Sequence, residues 1–154
     1  MKIAIVAVGR LARGPETDLV RLYTDRATAA GRSLGLGPAE VIEVESRKPG
    51  KAAEAEMLRP HLVDAYVIAC DERGKARTSR AFAQEIATLR DQGVRRLVFL
   101  IGGTDGLDPA LVAEAKSALA FGPQTWPHAL ARAMLAEQIY RAVSILAGSP
   151  YHRD

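Results

Sequence analysis

The chain has 154 residues, of which 48% are hydrophobic, and its formal net charge at pH 7 is +3. This length predicts one compact domain, 1–154, because two independent cores would need a longer chain. The single cysteine, Cys70, excludes an intramolecular disulfide and fits a reducing cytoplasm. The three histidines lie far apart in sequence, so we expect no metal site. No apolar stretch reaches the roughly 18 residues that span a bilayer, so we expect no membrane partner.

The first half of the chain predicts alternating strands and helices. Residues 2–8 form an apolar run, which is typical of a strand buried on both faces. Residues 17–30 then show the helical spacing of apolar side chains. Three shorter elements follow, a strand over 41–44, a helix over 52–59 and a strand over 65–70.

A glycine-rich turn follows the most apolar strand of the chain. A helix over 79–90 precedes this strand, which spans 97–101 and ends at Gly102 and Gly103. Ligands of open parallel sheets bind at the carboxyl ends of strands, where glycines let a ligand approach the backbone. The turn over 102–107 is therefore a candidate ligand site, and the alternative is a tight turn that needs glycine for positive φ.

The last third of the chain predicts two more helices. Asp108 can cap a helix that begins at Pro109 and runs to about Leu119, because its carboxylate accepts the unpaired amides of the first turn. A long final helix is predicted over 128–147. The alternation of strands and helices predicts an α/β fold with a mainly parallel sheet and helices on both faces.

An irregular segment, 121–126, separates these two helices. Its glycine and proline, with Pro127 after it, force a backbone whose amides and carbonyls stay free to clasp an adenine edge. The alternatives are that Trp126 packs in the core and that His128 caps the final helix.

Several nucleotide-binding and hydrolase motifs are absent. The first strand ends without the glycine spacing of a dinucleotide fold, and Gly74 and Lys75 lack the upstream glycine of a P-loop. No Gly-x-Ser-x-Gly elbow exists, so covalent hydrolase chemistry has no support. Two basic clusters remain, each of which fits either a solvated surface or a phosphate-contacting one. They consist of Arg47, Lys48 and Lys51, and of Arg73, Lys75, Arg77 and Arg80.

The final helix and the tail carry further polar candidates. Glu137 and Arg141 are four residues apart, with the acid first, which favours a helical ion pair. They share a stripe with Ser144 that either faces water or lines a site. The tail brings an aromatic ring, an imidazole and a guanidinium together in Tyr151, His152 and Arg153.

These segments together resemble the ribosomal RNA large subunit methyltransferase H family, which belongs to the SPOUT class of methyltransferases. The resemblance rests on the glycine turn 100–107, the run 125–128, the run 137–142 and the terminal Tyr-His-Arg. It covers most of the chain. It implies a C-terminal deep trefoil knot, a homodimer whose sites are completed by the partner, and a bent S-adenosylmethionine in the knot loops. We expect the two chains to pair largely through the first and last helices, because the apolar stripe of the final helix is wide enough to serve both core and interface. The implied cofactor contacts are Cys70, Gly102, Phe121, Gly122, Pro123, Gln124, Thr125 and Trp126.

The resemblance also implies the reaction, which is methylation of N3 of pseudouridine 1915 in 23S ribosomal RNA on the ribosome. N3 attacks the methyl carbon and S-adenosylhomocysteine leaves. We expect Arg141 and Arg153 to contact the oxyanion or phosphate and Glu137 to orient Arg141. His152 is the side chain that we expect to transfer the proton, because an imidazole can both accept and donate one.

Three other functions stay open at this point. A related knotted enzyme acting on transfer RNA would share the cofactor site and differ in its RNA surface. A ribosome-binding protein without activity would bind RNA and have no affinity for the methyl donor. A small flavodoxin-like binder would have neither ligand.

Overall fold

A five-stranded parallel sheet organises the computed structural model, which describes all 154 residues. The strands lie in the order β2-β1-β4-β3-β5. Strands β1 to β5 span Lys2–Val8, Ala39–Val44, Tyr66–Lys75, Arg96–Ile101 and Ser117–Leu119. Helices α1 to α5 span Pro15–Gly31, Lys51–Leu58, Ser79–Asp91, Pro109–Glu114 and His128–Leu146. No helix is long and apolar enough to cross a membrane.

Helices cover both faces of the sheet, as predicted. Helices α1, α3 and α5 pack on one face, and α2 and α4 pack on the other. Central strands are shielded on both sides, which explains why β1 and β4 are apolar without alternation. Helix α5 contributes Leu135, Ile139 and Val143 to the core at helical spacing, and it packs against α1 and α3.

The predicted fourth helix is too long. Asp108 caps it as expected, through a 2.8 Å bond from the Ala110 amide, but the helix ends at Glu114. Residues 117–119 instead form β5, an edge strand that pairs with β3. Pairing with β3 determines that these residues form a strand, because a segment of three residues is too short to show a periodicity of its own.

Strand β3 runs to Lys75, five residues beyond its predicted end, with an irregularity between Cys70 and Lys75. Its last part lies close against β5. A Cβ at Gly74 would lie 2.7 Å from the Leu119 carbonyl carbon, so only glycine lets the two chain segments approach this closely. The sheet order and the two helical layers agree with the predicted fold class, while the trefoil knot stays a prediction.

Candidate active site

The larger of two neighbouring cavities lies at the carboxyl edge of the sheet. It has a volume of about 700 Å³ and is lined by the turn 101–107 and the segment 119–128. The predicted cofactor residues line this cavity, except Pro123. The strand order explains their meeting, because β3 and β4 are neighbours and their ends carry Cys70 and Gly102.

The glycine turn is held by its own backbone. The Gly106 amide donates to the Gly103 carbonyl at 3.0 Å, and Gly106 has a φ of +80°. A Cβ at Gly102 would lie 2.4 Å from the Gly106 carbonyl carbon and 2.6 Å from the Leu107 nitrogen. Gly102 is therefore required first of all for closing the turn, since an added side chain would collide with the chain itself before it met any ligand.

The segment Phe121 to Trp126 keeps its main-chain groups free of main-chain partners, as the sequence predicts. None of its backbone amides or carbonyls takes part in a backbone hydrogen bond, and Gly122 adopts a φ of +92°. The Trp126 indole is 39% exposed and donates to the Phe121 carbonyl at 3.0 Å, so it is not a core residue. Free donors and acceptors in a concave wall are what a nucleoside needs for recognition.

The Cys70 side chain enters this cavity from β3. Burial raises the pKa of its thiol to about 12, and Arg77 opposes this shift only weakly. The thiol is therefore protonated at neutral pH and behaves as a small apolar group rather than a nucleophile.

A second cavity, of about 500 Å³, adjoins the first. The two share the wall Leu119 to Gly122, so ligands in them would lie side by side. Phe82 and Met134 supply apolar surface to the second cavity, while Glu137 and Arg141 supply charge. Two members of the stripe predicted on the final helix, Glu137 and Arg141, thus line a site.

Glu137 and Arg141 form the predicted ion pair. The Arg141 Nε donates to Glu137 Oε1 at 3.0 Å, and this bond raises the pKa of the guanidinium. Tyr151 donates its hydroxyl to the same carboxylate oxygen at 2.9 Å, and its ring lies 4.8 Å from the Arg141 guanidinium carbon. Ser144, in contrast, is buried and bonds to the Tyr140 carbonyl, which removes it from the stripe.

The tail folds back onto α5 and α3. His152 lies between Arg141 and Asp154, at 3.2 Å from Arg141 Nη1 and 3.1 Å from Asp154 Oδ1. Arg80 donates to Asp154 from its Nε at 2.7 Å. Arg153 is exposed and forms no hydrogen bond or ion pair, so the structure brings three of the four predicted catalytic residues together.

In the second basic cluster, Arg77 is engaged in contacts within the chain. Arg77 is only 14% exposed and bonds to Glu85, to Ser117 and to main-chain carbonyls of β3 and β5. Arg77 is thus a structural residue, whereas Arg47 and Lys48 are exposed and unpaired.

Sequence reasoning missed Arg132, the largest fully buried side chain of the protein. Its guanidinium donates to Glu43 at 2.9 Å and to the carbonyls of Val8 and Gly9 at 3.2 and 3.1 Å. Burial lowers its pKa, and Glu43 opposes that shift. The sequence offered one signal for this residue, an arginine surrounded by apolar residues on the predicted final helix. In the structure it lies next to Ala131, which lines the larger cavity.

A family described as predicted SPOUT methyltransferase matches residues 1–152. A protein of Phenylobacterium zucineum, named ribosomal RNA large subunit methyltransferase H, is 82% identical over 100% of both chains. The chain belongs to this SPOUT methyltransferase family. A protein of Dinoroseobacter shibae with the same name is 57% identical, with 99% of each chain covered.

The fold agrees with this membership. A probable methyltransferase of Bordetella pertussis superposes with a TM-score of 0.55 at 15% identity, covering 92% of this chain and 96% of the other. As a family member, the chain is an S-adenosylmethionine-dependent methyltransferase. The larger cavity fits that donor, because its volume suits a nucleoside-sized ligand and its wall offers free main-chain groups.

Proposed function

We propose that this enzyme methylates N3 of pseudouridine 1915 in 23S ribosomal RNA. The observation that carries the proposal is the pair of adjoining cavities that share the wall Leu119 to Gly122. One cavity offers the free main-chain groups that suit a nucleoside, and the other offers Arg141 for an anionic base. The names of the two relatives described above, both ribosomal RNA large subunit methyltransferase H, support the RNA substrate.

The methyl donor belongs in the larger cavity. The main chain of Phe121 to Trp126 and the turn at Gly102 would hold it, and Cys70 would contribute apolar contact. When bound, S-adenosylmethionine supplies an electrophilic methyl group. The protein residues position the two reactants and exclude water from between them.

The acceptor belongs in the smaller cavity, beside Glu137 and Arg141. Removal of the N3 proton leaves negative charge on the two flanking carbonyl oxygens of the base, and a guanidinium stabilises that charge. Glu137 holds Arg141 through the bond to its Nε, which fixes the direction in which the free N–H groups point. Arg153, exposed and unpaired, would contact the oxyanion or an RNA phosphate, and the N3 proton leaves to water.

We also propose a homodimer that acts on the ribosome in the cytoplasm. The apolar side of α5 is used within the chain, but α1 leaves Leu19 and Leu22 38% and 40% exposed on one stripe. These side chains suit a symmetric contact with a second copy. Sedimentation at micromolar concentration tests this proposal, and a stable monomer would contradict it.

Methylation of purified ribosomes and transfer RNA tests the proposed function. Ribosomes and transfer RNA from cells that lack the enzyme are incubated with it and labelled S-adenosylmethionine. We expect label in large-subunit RNA alone, at one pseudouridine. Label in transfer RNA would instead support the related tRNA enzyme, and cofactor binding without transfer to either RNA would overturn the assignment.

A further inference from the structure

The two ring nitrogens of His152 face groups of opposite hydrogen-bonding character. Arg141 Nη1 lies 3.2 Å from Nδ1, and Asp154 Oδ1 lies 3.1 Å from Nε2. A guanidinium only donates, whereas an ionised carboxylate only accepts. A neutral imidazole with its proton on Nε2 satisfies both partners at once.

The ionised state of Asp154 is secured by Arg80. The Arg80 Nε donates to Asp154 Oδ1 at 2.7 Å, and a second bond runs from its Nη2 to Oδ2. The bond from Arg80 lowers the pKa of this carboxyl to about 2, with a smaller contribution from His152. Asp154 therefore accepts, and does not donate, at any pH near neutrality.

The contacts close a ring that starts and ends on neighbouring residues of α3. Ser79 donates to Gln138 at 2.8 Å, and Gln138 donates to Glu137 at 2.8 Å. The ring continues through Arg141, His152 and Asp154 to Arg80. His152 is thus held from both sides, and its side chain is only 13% exposed.

We propose that His152 is a positioning residue for Arg141 and that Asp154 and Arg80 set its tautomer. This inference rests on the role of Arg141 in the proposed function. The Nδ1 lone pair accepts from Arg141 and is therefore not available to take the N3 proton. A protonated ring would direct an N–H at the guanidinium and lose this bond. The proposal replaces the proton-transfer role expected from the sequence.

The tautomer can be observed directly by long-range ¹H–¹⁵N correlation of the imidazole rings at mildly alkaline pH. The chain has only three histidines, so the spectrum of His152→Asn assigns the signals of His152. We expect the Nε2–H tautomer in the wild type and a mixture of tautomers in Asp154→Ala. A control variant in the exposed part of α1, Asp25→Ala, should leave the signals of His152 unchanged. An Nδ1–H tautomer in the wild type would overturn the proposal.

Single-turnover methylation separates positioning from proton transfer. The Oδ1 of asparagine can occupy roughly the place of Nδ1 and accept from Arg141, but it cannot take a proton near neutral pH. We expect His152→Ala to be slower than His152→Asn by about tenfold, the value of one hydrogen bond to a charged group. Equal and severe losses in both variants would show that His152 is the base. Because the spectrum needs no RNA, a failed methylation assay with wild-type enzyme would count against the proposed function and leave the tautomer test standing.

Discussion

Arg132 and Glu43 form an ion pair of 2.9 Å between α5 and β2, and the arginine is completely buried. The same guanidinium donates to the carbonyls of Val8, the last residue of β1, and of Gly9 after it. The start of α5 is thereby fixed to the carboxyl edge of the sheet. Because His128 and Ala131 on this part of α5 line the larger cavity, the pair helps to shape the site.

Removing Glu43 should destabilise the fold. Glu43→Ala leaves a buried guanidinium with only main-chain partners, which we expect to cost about 2–3 kcal/mol of unfolding free energy. Urea unfolding at fixed protein concentration measures it. Glu45→Ala, which removes an exposed pair with Arg10, should change stability by less than about 1 kcal/mol. Adding Arg132→Met to Glu43→Ala should recover part of the loss, and strictly additive losses would contradict this account.

The glycine turn should tolerate a methyl group at one position and not at another. Gly102→Ala forces the backbone at Gly106 to move, whereas Gly106→Ala meets no atom within 4 Å and costs only the strain of its positive φ, about 1–2 kcal/mol. We expect Gly102→Ala to weaken S-adenosylmethionine binding and to lower the melting temperature more than Gly106→Ala does. Calorimetry and thermal melting test this ranking. The reverse order would show that the turn does not depend on the close approach.

The thiol of Cys70 should react slowly. With its pKa raised to about 12, the thiolate fraction at neutral pH falls far below that of free cysteine, whose pKa is about 8.5. We expect modification by a thiol reagent at least about a hundredfold slower than that of the same chain in urea. Raising the pH should accelerate the reaction up to the thiol pKa. A rapid stoichiometric reaction of the folded protein would contradict this.

The loop before α2 should contribute to RNA binding. Arg47 and Lys48 are exposed and unpaired, and Lys51 beyond them lines the larger cavity. Affinity for RNA falls as salt concentration rises, and each lost phosphate contact reduces the steepness of log affinity against log salt by roughly 0.7–0.9. Arg47→Ala with Lys48→Ala should therefore reduce the slope for ribosome binding by about 1.5. The control is Arg95→Ala, which lies before β4 at the opposite edge of the sheet. Equal slopes in the double variant and in this control would show that the loop does not contact RNA.

The pattern of apolar residues predicts most of this fold. Strands that are buried on both faces appear as continuous apolar runs, and the amphipathic final helix shows apolar residues at helical spacing. Strand β5 was missed because residues 117–119 gain their conformation from pairing with β3. The contacts of the site likewise fall into those that local sequence spacing predicts and those that depend on the fold. Glu137 and Arg141 are neighbours on one helix and could be paired from their spacing. The contact of Arg80 with Asp154 joins residues 74 positions apart, and only the folded chain brings them together.

Mass mapping of large-subunit ribosomal RNA from a strain that lacks this enzyme tests the central claim most directly. The account predicts that N3 methylation of one pseudouridine disappears and that the wild-type gene restores it. A gene carrying Arg141→Ala should restore little of it, although the variant still binds S-adenosylmethionine. Unchanged N3 methylation of that pseudouridine in the deletion strain would contradict the proposed function.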